Sequence, residues 1–343
     1  MIGCGGGDAD VEEGGYDIAM ITDLGTIDDK SFNQGTWEGI VAYAEANGIT
    51  HKYYKPTEQS TDAYLSAIQL AVEGGAKIVV TPGFLFEEPI FIAQDLYPEV
   101  NFILVDGYPH NLDYSEFKTA DNTVGIKYAE EESGYLAGYA AVVEGYTKLG
   151  FMGGMAVPAV VKFGYGFAQG AEDAAAELGI ASIDLKYHYT GGFDATPEAQ
   201  TLAASWYAEG TEVIFACGGS VGNSVMSAAE AADGKVIGVD IDQSSESPTV
   251  ITSAMKGLAA SVQAALTEYY DGNFPGGQDQ VYAADQDGVQ LPMDTSKFEV
   301  FNQEMYDAVY AKLAAKEIEL QIDEDVDAAN KLDLTIVKVT LVE

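Results

Sequence analysis

The sequence predicts an α/β fold of two similar lobes, each a parallel sheet flanked by helices, and three observations carry that prediction. Its 343 residues exceed the roughly 100–200 of a usual single domain. Short apolar segments alternate with longer helical ones, and the short segments are apolar enough for burial on both faces, as parallel strands are. The alternation then halts at a long stretch of small residues and restarts with similar spacing, as two like lobes in one chain would require.

In order, a strand at 18–22 leads into an amphipathic helix at about 34–47. A strand at 52–55, a helix near 62–74, a strand at 78–81, a helix near 89–96 and a strand at 102–106 follow. The helix at about 127–144 carries Gly134, Ala137, Gly138, Ala140 and Ala141, small residues that let helices approach closely, and it opens the second lobe. Strands at 148–152, 183–187, 213–216 and 236–239 then alternate with helices near 163–178, 197–209 and 223–232. A strand at 251–254 and a helix at about 258–270 return the chain to the first lobe, with a turn at the Gly-Asn-Phe-Pro-Gly-Gly of 272–277. A helix at 303–316 and a strand at 334–342 complete the second lobe. The expected division is a tail of 1–15, a first lobe of 16–123 plus 255–290, and a second of 124–254 plus 291–343.

Charge excludes several functions. Lys and Arg total 16 against 55 Asp and Glu, a formal net charge of -39. Such a surface repels phosphate backbones and anionic headgroups, so nucleic acid is not an expected partner. The sequence has no run of 18 apolar residues that would span a bilayer. Of two cysteines, Cys4 stands in Met-Ile-Gly-Cys at 1–4, which looks like the end of a bacterial lipoprotein signal, with Gly5 to Glu13 as the tether after an acylated cysteine. Cys217 ends a strand with no histidine near it and reads as a small buried apolar residue. His51, His110 and His188 lack metal-ligand spacing, no Gly-x-Ser-x-Gly elbow occurs, and no cofactor motif appears.

Ligands of open α/β sheets sit beyond the C-terminal ends of strands. This directs attention to Asp23, the Phe84 region, Asp106, Gly153–Gly154, Gly218–Gly219 and Asp240. Residues 21–39 read Ile-Thr-Asp-Leu-Gly-Thr-Ile-Asp-Asp-Lys-Ser-Phe-Asn-Gln-Gly-Thr-Trp-Glu-Gly. A dinucleotide site would have Gly-x-Gly-x-x-Gly here, whereas Asp23, Asp28 and Asp29 would repel phosphate. Acids, the amide of Asn33 and the rings of Phe32 or Trp37 suit a neutral polyhydroxylated ligand with a flat ring. The same residues also describe an ordinary helix start, with Asp28 or Asp29 as its cap and the rings in the core.

This segment closely resembles the N-terminal signature of the basic membrane protein family, the PnrA-like substrate-binding lipoproteins of ABC importers. Matching elements follow in the same order: Phe-Ile-Leu-Val-Asp-Gly at 102–107, Asp121-Asn122, Glu-Ser-Gly-Tyr-Leu-Ala-Gly at 132–138, Leu-Gly-Phe-Met-Gly-Gly at 149–154, the Gly-rich 163–170, Val-Ile-Gly-Val-Asp-Ile-Asp-Gln at 236–243 and Thr-Ser-Ala-Met-Lys at 252–256. The resemblance covers roughly 16–317 and leaves the rest without a counterpart. It implies a type I periplasmic-binding-protein fold, two Rossmann-like lobes joined by three crossovers that close on a ligand, commonly a purine nucleoside. It further implies Asp106 and Asp240 as acids facing the ligand, Asn33 and Lys256 as polar partners, and Phe32 or Trp37 as one stacking face. Asp23, Asp29 and Gly218 line the same cleft, and Phe163, Phe193 and Phe215 compete for the second stacking face. Asp242 competes with Asp240.

The function so implied is that of an extracytoplasmic, membrane-anchored, monomeric binding protein that hands a nucleoside to permease and ATPase subunits and needs neither cofactor nor metal. A flavin or sugar cargo, or an α/β enzyme acting on nucleosides, remains an alternative, since each also calls for acids and aromatic platforms.

Overall fold

The computed structural model describes residues 15–23 and 25–342; Cys4 and the tether expected after it lie outside that range. Among the described residues the strands form two sheets. The first contains β1 (Ile18–Ile21), β2 (His51–Tyr54), β3 (Ile78–Pro82), β4 (Asn101–Val105), β5 (Thr123–Tyr128) and β11 (Gln278–Tyr282), in the order β11-β5-β4-β3-β1-β2. The second contains β6 (Lys148–Gly153), β7 (Ile183–Tyr189), β8 (Val213–Cys217), β9 (Lys235–Asp240), β10 (Val250–Lys256), β12 (Val289–Gln290) and β13 (Val337–Leu341). Its order is β12-β10-β9-β8-β6-β7-β13, and only the β10–β12 pairing is antiparallel.

Five strands of each sheet follow one plan, β2-β1-β3-β4-β5 in the first and β7-β6-β8-β9-β10 in the second. The order reverses beside β1 and beside β6, which leaves a crevice at the C-terminal strand ends of each lobe. The central strands are apolar runs buried on both faces: Ile18 to Ile21, Ile78 to Val80 and Val213 to Cys217 are all buried. Helices α1 (Phe32–Asn47), α2 (Thr61–Glu73) and α3 (Glu87–Leu96) serve the first lobe. Helices α4 (Glu130–Val143), α5 (Pro158–Leu178), α6 (Pro197–Ala208) and α7 (Val221–Ala232) serve the second. Next come α8 (Leu258–Tyr270), whose Gln263 side chain donates to the Gly39 carbonyl of α1 at 3.1 Å, and α9 (Gln303–Ala314).

Strand pairing moves the expected boundaries. Residues 123–128 form β5 in the first sheet, so Lys127 and Tyr128 are strand and α4 begins only at Glu130. β10 stays in the second sheet through Lys256, so α8 and β11, not the 251–254 strand, carry the return. The chain therefore crosses between lobes at 128–130, 256–258 and 282–289. These connections are tied together, Ala129 N–H donating to the Tyr282 carbonyl at 3.1 Å and Gly257 N–H to that of Gly288 at 2.8 Å. The segment after 317 is docked on the second lobe. β13 extends the sheet beyond β7, and Glu172 of α5 accepts backbone N–H bonds from Thr335, Ile336 and Val337.

Candidate functional site

β1 delivers the chain to Asp23, and α1 then starts under control of Asp29. The two Asp29 oxygens accept from the N–H groups of Ser31 (2.9 Å), Asn33 (3.0 Å) and Gln34 (3.1 Å), neutralising the free donors of the helix start. The side chain of Asn33, buried in the first turn, is pinned between Asp23 Oδ1 (3.0 Å) and Asp29 Oδ2 (2.9 Å). Burial pushes the Asp23 carboxyl up, against the opposing hydrogen bonds from Gly25 N–H and Asn33. Asp29 thus acts on the site through the helix start that it caps. Asp29→Ala is expected to destabilise the protein by about 1–2 kcal/mol, read as a fall in melting temperature; an unchanged melt would reject the capping role.

Ser31 stands at the N-cap without capping. Its hydroxyl reaches across to the second lobe and donates to Asp240 Oδ2 at 2.5 Å. A second bridge runs from Gln243 Nε2 to the Lys30 carbonyl at 2.6 Å.

The acids occupy equivalent places: Asp106 follows β4, and Asp240 ends β9, its counterpart in the second sheet. Both have left-handed backbones, φ 63° and 67°. That conformation is uncommon outside glycine and gathers at functional sites. Between them lies Lys256, the last residue of β10, bonded to Asp106 Oδ2, 3.3 Å from Glu130 Oε1 and 3.8 Å from Asp240 Oδ1. The lysine side chain is 2% exposed. Burial opposes its charge, but Asp106, Glu130 and Asp240 more than reverse that and hold the ammonium protonated well above the usual lysine range. Burial raises Asp240 to about 6 although Lys256 and Ser31 pull it down. It raises Glu130 to about 8, again against Lys256. Among the described residues, buried Asp106 Oδ1 and Asn33 Oδ1 have no hydrogen-bond partner and are open acceptors.

Aromatic rings surround the ammonium. The centroids of Phe32, Tyr128 and Phe163 lie 4.8, 5.3 and 5.6 Å from Lys256 Nζ. Trp37 is not among them: its ring packs on His51 at 5.4 Å and Tyr53 at 5.5 Å, over β2. On a helix, five residues from Phe32 to Trp37 turn the second ring well away from the first. Of the other candidates, Phe215 is core. Phe163 meets it edge-on at 5.9 Å and still faces Lys256. Phe193 is partly exposed and lies on the Gly154 turn, where an added Cβ would come within 2.5 Å of its ring. Gly218 backs the same turn, its own added Cβ falling 2.6 Å from Gly154 N. Asp242 is engaged elsewhere, accepting from Ser244 N–H (2.9 Å) and Thr295 Oγ1 (2.6 Å). Cys217 is buried, and burial raises its thiol.

Sequence reading missed Ser31 and Glu130. Ser31 lies inside the recognised signature, but the helix start was read through Asp28 and Asp29 as its caps. Glu130 opens a run of three glutamates, and nothing in the run marks the first as the buried one.

The model of the Bmp family, described as ABC transporter substrate-binding protein PnrA-like, matches residues 17–324. The ABC transporter nucleoside-binding protein BmpA of Lactococcus lactis is 30% identical over 82% of this chain and 83% of that protein. Basic membrane protein A2 of Borrelia garinii is 31% identical over 79% and 78%. A solute-binding protein of an ABC transporter system from Aeropyrum pernix K1 has the same fold, with a TM-score of 0.78 at 22% identity over 92% of this chain and 95% of that one. One from Conexibacter woesei superposes with a TM-score of 0.72 at 25% identity, over 90% and 99%. The chain belongs to the Bmp family of PnrA-like ABC transporter substrate-binding proteins.

Proposed function

We propose that the cargo of this substrate-binding protein is a nucleoside, with a purine base favoured, held between the lobes at Asp106, Asp240 and Lys256. The observation that carries this reading is the pair of equivalent, left-handed acids meeting at one buried lysine, with Asp106 Oδ1 and Asn33 Oδ1 open as acceptors. Acids of this kind accept from paired ribose hydroxyls, while Phe32 and one of Phe163 or Phe193 suit the two faces of a base. The name of the Lactococcus relative points the same way. The task is capture rather than catalysis: contacts made only with the lobes together favour the closed form, which the permease and ATPase subunits then engage. Acylation of Cys4 would anchor the chain outside the membrane as a monomer.

Calorimetry of protein freed of ligand by unfolding and refolding, against adenosine, guanosine, inosine, cytidine, uridine, riboflavin and ribose, tests the cargo. Asp106→Ala and Asp240→Ala should each weaken purine-nucleoside binding roughly 10–150-fold, the worth of a charge-assisted hydrogen bond. Saturable binding of riboflavin or ribose alone would move the assignment to flavins or sugars. Phe32→Ala should cost about 1–3 kcal/mol of affinity through lost stacking, and Trp37→Ala close to none. The reverse order would refute the aromatic assignment.

A further inference from the structure

Lys256 has three carboxylates around it, and they do not belong to the same moving part. Asp106 stands on the first lobe, so its bond to Lys256 spans the cleft. Glu130 does not span it. It is the first residue of α4, at one crossover, and Lys256 is the last of β10, at another. Ser133, one turn further along α4, donates to the Met255 carbonyl of β10 at 3.0 Å, which fixes the start of α4 to the strand end that carries Lys256. The Glu130 side chain is 4% exposed, against 12% for Asp106. Any opening of the lobes carries Asp106 away from the ammonium and leaves Glu130 beside it. Asp240 also stays on the second lobe, but its nearer oxygen is 3.8 Å from the ammonium, beyond hydrogen-bond reach, against 3.3 Å for Glu130.

We propose that Glu130 is a positioning residue that holds Lys256 while the cleft is open and yields it to Asp106 as the lobes close on ligand. The proposal rests on the cleft being the binding site. It gives closure a proton balance. In the closed arrangement seen here burial holds the Glu130 carboxyl up at about 8, against Lys256, with Asp106 raising it further. Lys162 on α5 opposes that rise, Glu131 on α4 adds to it, and Tyr108 and Cys217 also lie within its field. With the cleft open, water reaches the carboxylate and Lys256 is shared less with Asp106, so its midpoint falls. Closure then takes up a proton between the two midpoints, and affinity weakens as pH rises through that window towards about 8.

Titration of inosine or guanosine at neutral pH in phosphate and in Tris reads the uptake, because the buffers differ in ionisation enthalpy. The wild type should take up a proton fraction approaching one. Glu130→Gln should show none and a flat affinity from about pH 6 to 9, and Glu130→Asp should regain the uptake. Buffer-independent heats in the wild type overturn the proposal, as does uptake persisting in Glu130→Gln, which would assign it to Asp240. A second arm needs no ligand: the carbon-13 carboxyl signal of Glu130, assigned with Glu130→Gln, should titrate more than about one pH unit higher in Lys256→Met than in the wild type. An unmoved midpoint overturns the pairing. If no nucleoside binds, the cargo reading fails by itself and the carboxyl titration still decides this one.

Discussion

Lys256→Met is expected to destabilise the protein by about 3–5 kcal/mol at pH 8 and by far less at pH 4.5, because the loss is one of charge more than of volume. Removing the ammonium leaves Asp106, Glu130 and Asp240 facing one another with side chains 12%, 4% and 9% exposed. The sign follows from the direction of each shift. Lys256 has a folded-state pKa raised above its unfolded value, so its contribution is fully present below the unfolded lysine value of about 10.4 and fades above it. Asp240 and Glu130 are raised to about 6 and about 8, so their contributions are greatest when protonated and decline as pH rises through those values. Without Lys256 both acids move higher still, and the penalty accumulates between about pH 4.5 and 8. At roughly 2–4 °C per kcal/mol for lobes of this size, the melting temperature should fall by about 6–20 °C at pH 8. An equal fall at both pH values would mean that packing, not charge, is what the lysine supplies. The same variant should lose ligand binding, because the ammonium is the common partner of the acids on both lobes.

How far the sequence revealed this arrangement depended on whether local chemistry or distant pairing decides each element. Ile18 to Ile21 and Val213 to Cys217 are apolar runs with only one comfortable environment, and both are buried strands. Asp106 and Asp240 were singled out because strand ends are where such sheets place ligands, and Lys256 because a family motif runs through it; the structure brings the three together. β11, by contrast, reads Gln-Asp-Gln-Val-Tyr, mostly exposed, and is a strand because β5 offers it an edge. β5 itself adjoins the helix-favouring run that starts at Glu130, and a boundary between two real elements is the hardest thing to place from one sequence. α5 starts five residues before the expected 163 because Pro158 sits in its first turn, where a missing N–H costs nothing, although the β-branched residues after it read as non-helical. Between Phe32 and Trp37, which the sequence left as alternatives, rotation along the helix separates the two: the turn of α1 sends the Trp37 ring to β2 and leaves Phe32 beside Lys256.

The glycines of α4 and α5 give a prediction whose sign opposes intrinsic propensity. An added Cβ at Gly134 would stand 2.1 Å from the Phe163 carbonyl oxygen, and one at Gly138 would stand 2.0 Å from that of Phe167. From the other side, Gly166 would meet the Glu131 carbonyl oxygen at 1.9 Å and Gly170 that of Tyr135 at 2.0 Å. The two backbones are thus in direct contact at four points, and no rotamer change can relieve a methyl group there. Glycine inside a helix costs about 0.5–1 kcal/mol relative to alanine, so on propensity alone Gly138→Ala would stabilise. The forced separation of the helices should outweigh that by about 1–3 kcal/mol, and Gly138→Val should do more damage. Gly222 of α7 is the control: its added Cβ would meet nothing closer than Met226 Cε at 3.8 Å, so Gly222→Ala should melt no lower than the wild type. If Gly138→Ala and Gly222→Ala melt alike, the close crossing is wrong. The consequence reaches the proposed ligand site, because α4 starts at Glu130 and α5 carries Phe163 in its second turn. Gly134→Ala presses on the Phe163 carbonyl itself and should weaken ligand binding as well as stability. Gly170→Ala, two turns further from Phe163, should lower stability with a smaller effect on affinity.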